Sequence, residues 1–233
     1  MKPALDRRGK DRWDMEHEQA RQQVIHIGQE IYRQRLVAGT WGNISCRLEP
    51  TEHILITPSG MPYATLQPRD LVVLDREGRI TQGHRKPSSE FPLHVKIYQE
   101  RPDVGAIVHV HSPWACAYAV AHQPIPMLLE ESAQVLGDSI PVAQYAHAGS
   151  EELAISACRA LGTEHKAVLL ANHGLVGLGQ DLEEALLVCV IAEKTAMIGL
   201  MARSLGTVNS LAAEDVKYLH QSFREYGQPR TDN

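Results

Sequence analysis

Little in this sequence stacks, crosslinks or carries excess positive charge. Aromatic residues are 5% of the 233, with two Phe, seven Tyr and three Trp, too few to build a platform for base stacking. Lys and Arg number 23 against 28 Asp and Glu, for a formal charge of -5. No basic footprint for a phosphate polymer results, so nucleic acid is not an expected partner. The four cysteines, Cys46, Cys116, Cys158 and Cys189, form no C-x-x-C pair, which argues against a disulfide framework and suits a reducing compartment. The opening stretch is charged throughout, unlike a signal peptide. No apolar run approaches the ~18 residues of a membrane span. The expectation is a cytoplasmic protein with no membrane partner.

What is present is the mixture of an ordinary globular chain, 43% hydrophobic and 22% charged, long enough for one sizeable domain. Residues 1–16 are charged and aperiodic and read as a flexible N-terminal extension, with the domain proper at 17–233. Val24, Ile27 and Ile31 recur at helical spacing, predicting an amphipathic helix from Glu18 to Val37. Short strands are predicted at 53–58, 70–75, 105–111, 139–145 and 166–172, with a hairpin turn in "REGRI". Helices are predicted after "PSSE" and after Ser112, from Ser150 to Leu161, from Asp181 to about Leu205, and over 213–225. Asp181 with Glu184 three residues on has the pattern of a capping box. Strands and helices mix without a strict βαβ rhythm, which predicts an α/β protein, a single domain of three α/β/α layers around a mixed sheet.

The stretch "AIVHVHSPWACAYAV" carries the strongest chemical signal. Residues i and i+2 of a strand share a face, so His109 and His111 stand side by side at a strand end. Neutral imidazole is the commonest ligand for Zn²⁺ and its relatives. The ordinary alternative is a pair of half-buried histidines with satisfied hydrogen bonds, and the pair alone leaves both readings open. His173, in "LLANHGLVG", also follows an apolar strand and precedes a glycine that lets backbone approach closely. The other histidines are less persuasive. His17, His26, His94 and His220 fall within predicted helices, and His53, His84, His122, His147 and His165 fall at turns or element ends.

Three loops have the composition of anion cradles. In "KPSSE", Ser88 and Ser89 precede a helix whose first turn would hold Glu90, where free amides and hydroxyls suit a phosphate; an N-cap serine beside a dipole-stabilised glutamate is the commoner use of those residues. "GTWGNIS", with Gly42 and Asn43, and "TPSG", with Ser59 and Gly60, likewise place small or polar groups where backbone N–H groups converge.

Taken in order, G-N-x-S, T-P-S-G, S-S-E, H-x-H and N-H-G resemble the class II aldolase/adducin family, especially its bacterial fuculose-1-phosphate and deoxypentulose-phosphate aldolases, over nearly the whole chain. The resemblance implies a largely antiparallel sheet and a fourfold homotetramer with active sites at subunit interfaces. It implies Zn²⁺ held by His109, His111 and His173, with Mn²⁺, Co²⁺ or Fe²⁺ as other divalent candidates. It makes Glu90 both the acid/base residue and a metal ligand in the absence of substrate, and gives Gly42, Asn43, Ser59, Gly60, Ser88 and Ser89 to the phosphate of a sugar substrate. The implied reaction is reversible cleavage of a ketose 1-phosphate to dihydroxyacetone phosphate and an aldehyde through a zinc-stabilised enediolate, with Glu90 expected to have a pKa raised toward neutrality. One position departs: Glu130 or Glu131 stands where the aldolases carry a proton-donating tyrosine, while the C-terminal tyrosine has a counterpart in Tyr226. That departure keeps epimerase, decarboxylase, dehydratase and Fe²⁺ oxygenase chemistry open, and a non-catalytic scaffold is the alternative of another class.

Overall fold

Two strands with different sequence patterns lie side by side at the centre of the sheet. In the computed structural model, which describes residues 7–223 with side chains from His17 onward, β5 (Ala106–Val110) is buried at every position. Its neighbour β1 (Asn43–Leu48) alternates, with Ile44, Cys46 and Leu48 on one face and Asn43, Ser45 and Arg47 on the other. A strand covered by apolar layers on both faces reads as a near-continuous apolar run, whereas alternation marks one apolar and one polar face.

From this pair the sheet extends antiparallel through β2 (His53–Ile56) and β3 (Val72–Leu74) to the edge strand β4 (Ile80–Gln82). On the other side β5 pairs with β8 (Gly174–Gly179) and β8 with β7 (Ala167–Leu170), again antiparallel; the two-residue β6 (Val142–Ala143) then joins β7 in parallel. The sheet is mixed and largely antiparallel, as expected.

Helices cover both faces. On one side α1 (Arg7–Arg33), α3 (Pro113–Ala121) and α6 (Leu182–Arg203) pack with α4 (Glu130–Leu136) and α7 (Ala213–Ser222). On the other, α2 (Phe91–Glu100) packs against α5 (Glu151–Leu161). Each face has its own apolar cluster, and successive residues of β5 serve opposite ones: Val108 packs with α1, α3 and α6, Ile107 with α2 and α5. A buried residue of this kind contributes about 1.5–3 kcal/mol by leaving water.

Helix ends follow local chemistry, with three departures from expectation. Ser150 caps α5 through a bond from the Leu153 N–H, and Gly162 closes it. Asp181 caps α6 by accepting from the Glu184 N–H, but the Glu184 carboxylate reaches back to the Gln180 N–H, one residue short of a capping box. Ser112 stands at the α3 N-cap without a side-chain bond; the Trp114 and Ala115 N–H groups donate instead to the Glu193 carboxylate of α6. At α2 the N-cap residue is Glu90, and the Ser88 hydroxyl accepts from the Glu90 N–H.

Some boundaries and elements differ from the sequence reading. Helix α1 begins at Arg7 and ends at Arg33, so the backbone of 7–16 is helical where an aperiodic extension was expected. Strand β1 begins inside a segment read as a loop, β8 and helix α4 fall where no element was expected, and the strand expected over 139–145 shrinks to Val142–Ala143. Helix α6 corrects the search for long apolar segments: its best 18-residue window has a mean hydropathy of 1.9, enough by length and composition to cross a membrane. Glu193 and Lys194 interrupt it, one capping α3 and the other pairing with Glu131. With Val188, Cys189, Ala192 and Ala196 fully buried in the apolar cluster, α6 is a core helix of this fold.

Candidate active site

Three imidazoles meet at the end of the β5–β8 pair. The strand period puts His109 and His111 on one side of β5, and His173 arrives from the turn joining β7 to β8. That turn needs Asn172 in the left-handed region, at φ 55°, and needs Gly174. A Cβ there would lie 2.6 Å from the Val110 carbonyl and 3.0 and 3.1 Å from the His109 and His111 rings. Ring centroids are 4.8 Å apart for His109–His111 and for His111–His173, and 4.9 Å for His109–His173. Glu90 completes the group, and one ligand atom from each of the four residues lies within 4.8 Å of the others.

The hydrogen-bond inventory fits a metal ion in this position. The His109 Nδ1–H donates to the Leu175 carbonyl at 3.0 Å, which places the lone pair of the neutral ring on Nε2. That Nε2 faces the His111 Nε2 at 3.0 Å and Glu90 Oε2 at 3.2 Å, while Glu90 Oε1 lies 3.3 Å from the His173 Nε2. Oε1 is buried and has no hydrogen-bond partner. Lone pairs converging without enough protons between them are what a divalent cation satisfies, and three imidazoles with a carboxylate suit zinc and its transition-metal neighbours.

Charge states follow from burial and proximity. Burial and the neighbouring His109 push His111 down to about 3 and His173 down to about 4, so both rings are neutral at neutral pH. Burial alone would depress His109 as well, but Glu90 outweighs it and raises that pKa. For Glu90 the expectation of a raised pKa is reversed. Burial works in that direction, but His109, His173 and the Asn43 amide together hold the carboxyl well below the usual range.

The phosphate-loop candidates form a contiguous strip. The Thr57 N–H donates to the Ile44 carbonyl, the Ile44 N–H to Thr57 Oγ1, and the Ser88 N–H to the Thr57 carbonyl. The Ser59 N–H donates to the Lys86 carbonyl, and Pro58 bridges to Pro87. Thr57 thereby ties the three segments to one another, and they reach the histidine group through Asn43, which pairs with His109, and through Glu90. Ser59, Gly60 and Ser89 are exposed and Ser88 is buried. Gly42, at φ +81°, is a second enforced glycine, since a Cβ would come within 2.6 Å of the His109 carbonyl.

Asn43 differs from the rest of that strip. Its buried amide donates from Nδ2 to Glu90 Oε2 at 2.8 Å and accepts at Oδ1 from His94 Nε2 at 2.5 Å. His94 is wholly buried and held neutral, its pKa pushed down by burial and by His109 to about 3. The Ser45 hydroxyl bonds its Nδ1 at 2.6 Å and meets the Tyr98 hydroxyl at 2.9 Å. Sequence reasoning set His94 aside as a helix histidine. Two signals pointed to it: the strict alternation of "NISCRL", and the spacing of Glu90, His94 and Tyr98 by four, which lines them on one helix face.

Glu130 and Glu131 are not among the four converging residues of this chain. Glu130 and Glu131 open α4, with Glu130 exposed and Glu131 paired with Lys194. Tyr226 lies outside the described residues. An unforeseen neighbour is Trp41, whose ring stacks on His111 at 5.6 Å with 65% of its surface exposed.

Comparison with known proteins agrees with this geometry. Residues 22–200 match the model of the class II aldolase and adducin N-terminal domain. The chain belongs to this family. A 5-deoxy-D-ribulose 1-phosphate aldolase of Bacillus thuringiensis is 33% identical over 208 residues, covering 89% of this chain and 97% of that protein. An L-fuculose phosphate aldolase of Escherichia coli is 36% identical over 214 residues, covering 91% and 98%. Among solved structures, an L-fuculose 1-phosphate aldolase superposes with a TM-score of 0.85 at 34% identity, covering 88% of this chain and 96% of that one. In this member of the class II aldolase family the four converging residues are a possible metal-binding group.

Proposed function

We propose that the protein is a metal-dependent aldolase that reversibly cleaves a ketose 1-phosphate, of the fuculose-1-phosphate or deoxypentulose-phosphate type, into dihydroxyacetone phosphate and an aldehyde. One observation carries the reading: a carboxylate and three imidazoles converge at the edge of a strip of hydroxyl and amide groups suited to a phosphate. Relatives named as sugar-phosphate aldolases over nearly the same length support the substrate class. His109, His111 and His173 would hold the cation, Zn²⁺ by this donor set with Mn²⁺, Co²⁺ or Fe²⁺ as substitutes. When bound, a divalent ion supplies Lewis-acid charge against the negative charge that develops on the substrate oxygens.

The chain's own residues do the rest. Gly42, Ser59, Gly60, Ser88 and Ser89 orient the phosphate and so fix which carbon faces Glu90. Glu90 receives the proton from the carbon that becomes nucleophilic in the synthetic direction, and returns it to that carbon in cleavage. In cleavage the hydroxyl proton of the departing aldehyde leaves to a second base, and the exposed Glu130 of a neighbouring subunit fills that role in a homotetramer with interfacial sites. The protein acts in the cytoplasm on a small phosphorylated sugar.

Metal-replete protein incubated with a panel of ketose 1-phosphates is expected to release dihydroxyacetone phosphate. Glu90→Gln should lower kcat by about 10²–10⁴-fold, the range of a general acid–base group. A wild-type protein that epimerises, decarboxylates or dehydrates the panel without releasing a triose phosphate would replace the aldolase reading, and one without stoichiometric metal would replace it with a scaffold.

A further inference from the structure

We propose that His94 is a positioning residue for Glu90, acting through the Asn43 amide so that one carboxylate oxygen is tethered and the other is left for the metal and the proton. The proposal rests on the aldolase reading of the site and adds a residue that touches neither substrate nor metal group. Its basis is the polarity of a buried chain of hydrogen bonds. Glu90 as a carboxylate only accepts, so the Asn43 atom 2.8 Å from Oε2 is the amide nitrogen. The Asn43 oxygen therefore faces His94, and the His94 nitrogen at 2.5 Å carries the hydrogen. The other His94 nitrogen is then an acceptor and takes the Ser45 hydroxyl proton at 2.6 Å, which frees the Ser45 oxygen to accept from Tyr98 at 2.9 Å. Every link runs one way, Tyr98 to Ser45 to His94 to Asn43 to Glu90.

The elements of this chain explain its rigidity. Asn43 and Ser45 stand on the same face of β1, and Glu90, His94 and Tyr98 follow one face of α2 from its N-cap onward. Asn43, Ser45, Glu90, His94 and Tyr98 are all buried, so water does not compete, and a reversed amide would set its oxygen against the carboxylate. Glu90 Oε2 is thus held by Asn43, and Oε1 is the atom left buried without a hydrogen-bond partner beside His173. Without a donor at position 94 the buried Asn43 oxygen loses its partner, and the amide that tethers Glu90 is no longer held in place from behind.

Two substitutions separate positioning from packing. The Gln of His94→Gln can place an N–H where the ring presents Nε2, while the shorter Asn of His94→Asn reaches only toward Ser45. In the full-length protein, kcat and KM on the best ketose 1-phosphate, the visible band of the cobalt-substituted form and the thermal midpoint are compared. The expectation is that His94→Asn lowers kcat about 100-fold, the cost of an ångström-scale misplacement, with KM retained and the cobalt band shifted. His94→Gln should restore both readouts at a similar thermal midpoint. Wild-type kcat in His94→Asn would overturn the proposal, as would equal loss in both variants in step with their thermal midpoints. A wild-type protein that neither binds cobalt nor cleaves the panel would overturn the aldolase reading and this inference with it, a result distinct from active wild type with indifferent variants.

Discussion

Glu90 has buried imidazoles on both sides, and the two sides are opposites. Toward β8, His109, His111 and His173 face one another with more lone pairs than protons. Toward α2, His94 has a partner on each nitrogen. Both sets are at least half-buried and both are excluded from cationic roles or nearly so, His109 excepted. Burial therefore does not tell a ligand from a structural histidine. What does is whether the ring's hydrogen-bonding capacity is filled by the protein or left for something else.

That contrast is broken most severely from the ligand side. His173→Ala should remove bound metal and lower kcat by more than about 10³-fold, the factor that several kcal/mol of lost electrostatic stabilisation represents; metal analysis and initial rates check it. If metal stoichiometry survived, the two sets would not differ in the way described.

Acid sharpens the contrast in the metal-free protein. His94, His111 and His173 have folded pKa values of about 3, 3 and 4 against about 6.5 unfolded. The unfolded chain therefore gains protons first as pH falls, and stability is full above about 6.5 and declines below it. His109, with a raised pKa, works the other way, adding stability below 6.5 that is lost as pH rises through its folded value. Glu90, held low, adds a further loss below the carboxylate range. Three rings outweigh one, so urea midpoints should fall between pH 7 and pH 5. Zinc, which would keep all three facing rings unprotonated in the folded state, should steepen this fall by removing the opposing share of His109, and should leave the part owed to His94, at most about 1.4 kcal/mol per pH unit.

The smallest effect is expected at Trp41. Its ring lies against His111 on the solvent side, a contact of about 0.5–1.5 kcal/mol. Trp41→Ala should therefore lower stability by no more than this contact, read as a small shift of the urea midpoint, with kcat and metal content kept. A large loss of kcat would move Trp41 into the ligand-side group.

The readable part of the site was carried by side chains whose chemistry is unusual where they stand. Paired histidines at a strand end, a histidine before Gly174 and a glutamate after two serines are conspicuous because apolar strands seldom end so. The strand order follows less directly, since β1 and β8 were hidden by glycines and small polar residues that look like loops until a neighbour pairs with them. His94 was passed over for a related reason: its helical spacing from Glu90 gains meaning only with Asn43 and Ser45, about 50 residues away on a strand that had not been recognised. The helix α4 and the start of α1 lack strong caps or apolar periodicity, and tertiary packing decides them.

Gly174 contributes no functional group, yet a single methyl there would collide with the Val110 backbone and both rings of the neighbouring strand. A saturation screen of this chain should therefore show intolerance at a residue with no chemistry of its own, as severe as at the ligands. The clearance between the two strands at this point is a hydrogen atom wide, and evolution of new specificity has to proceed around it.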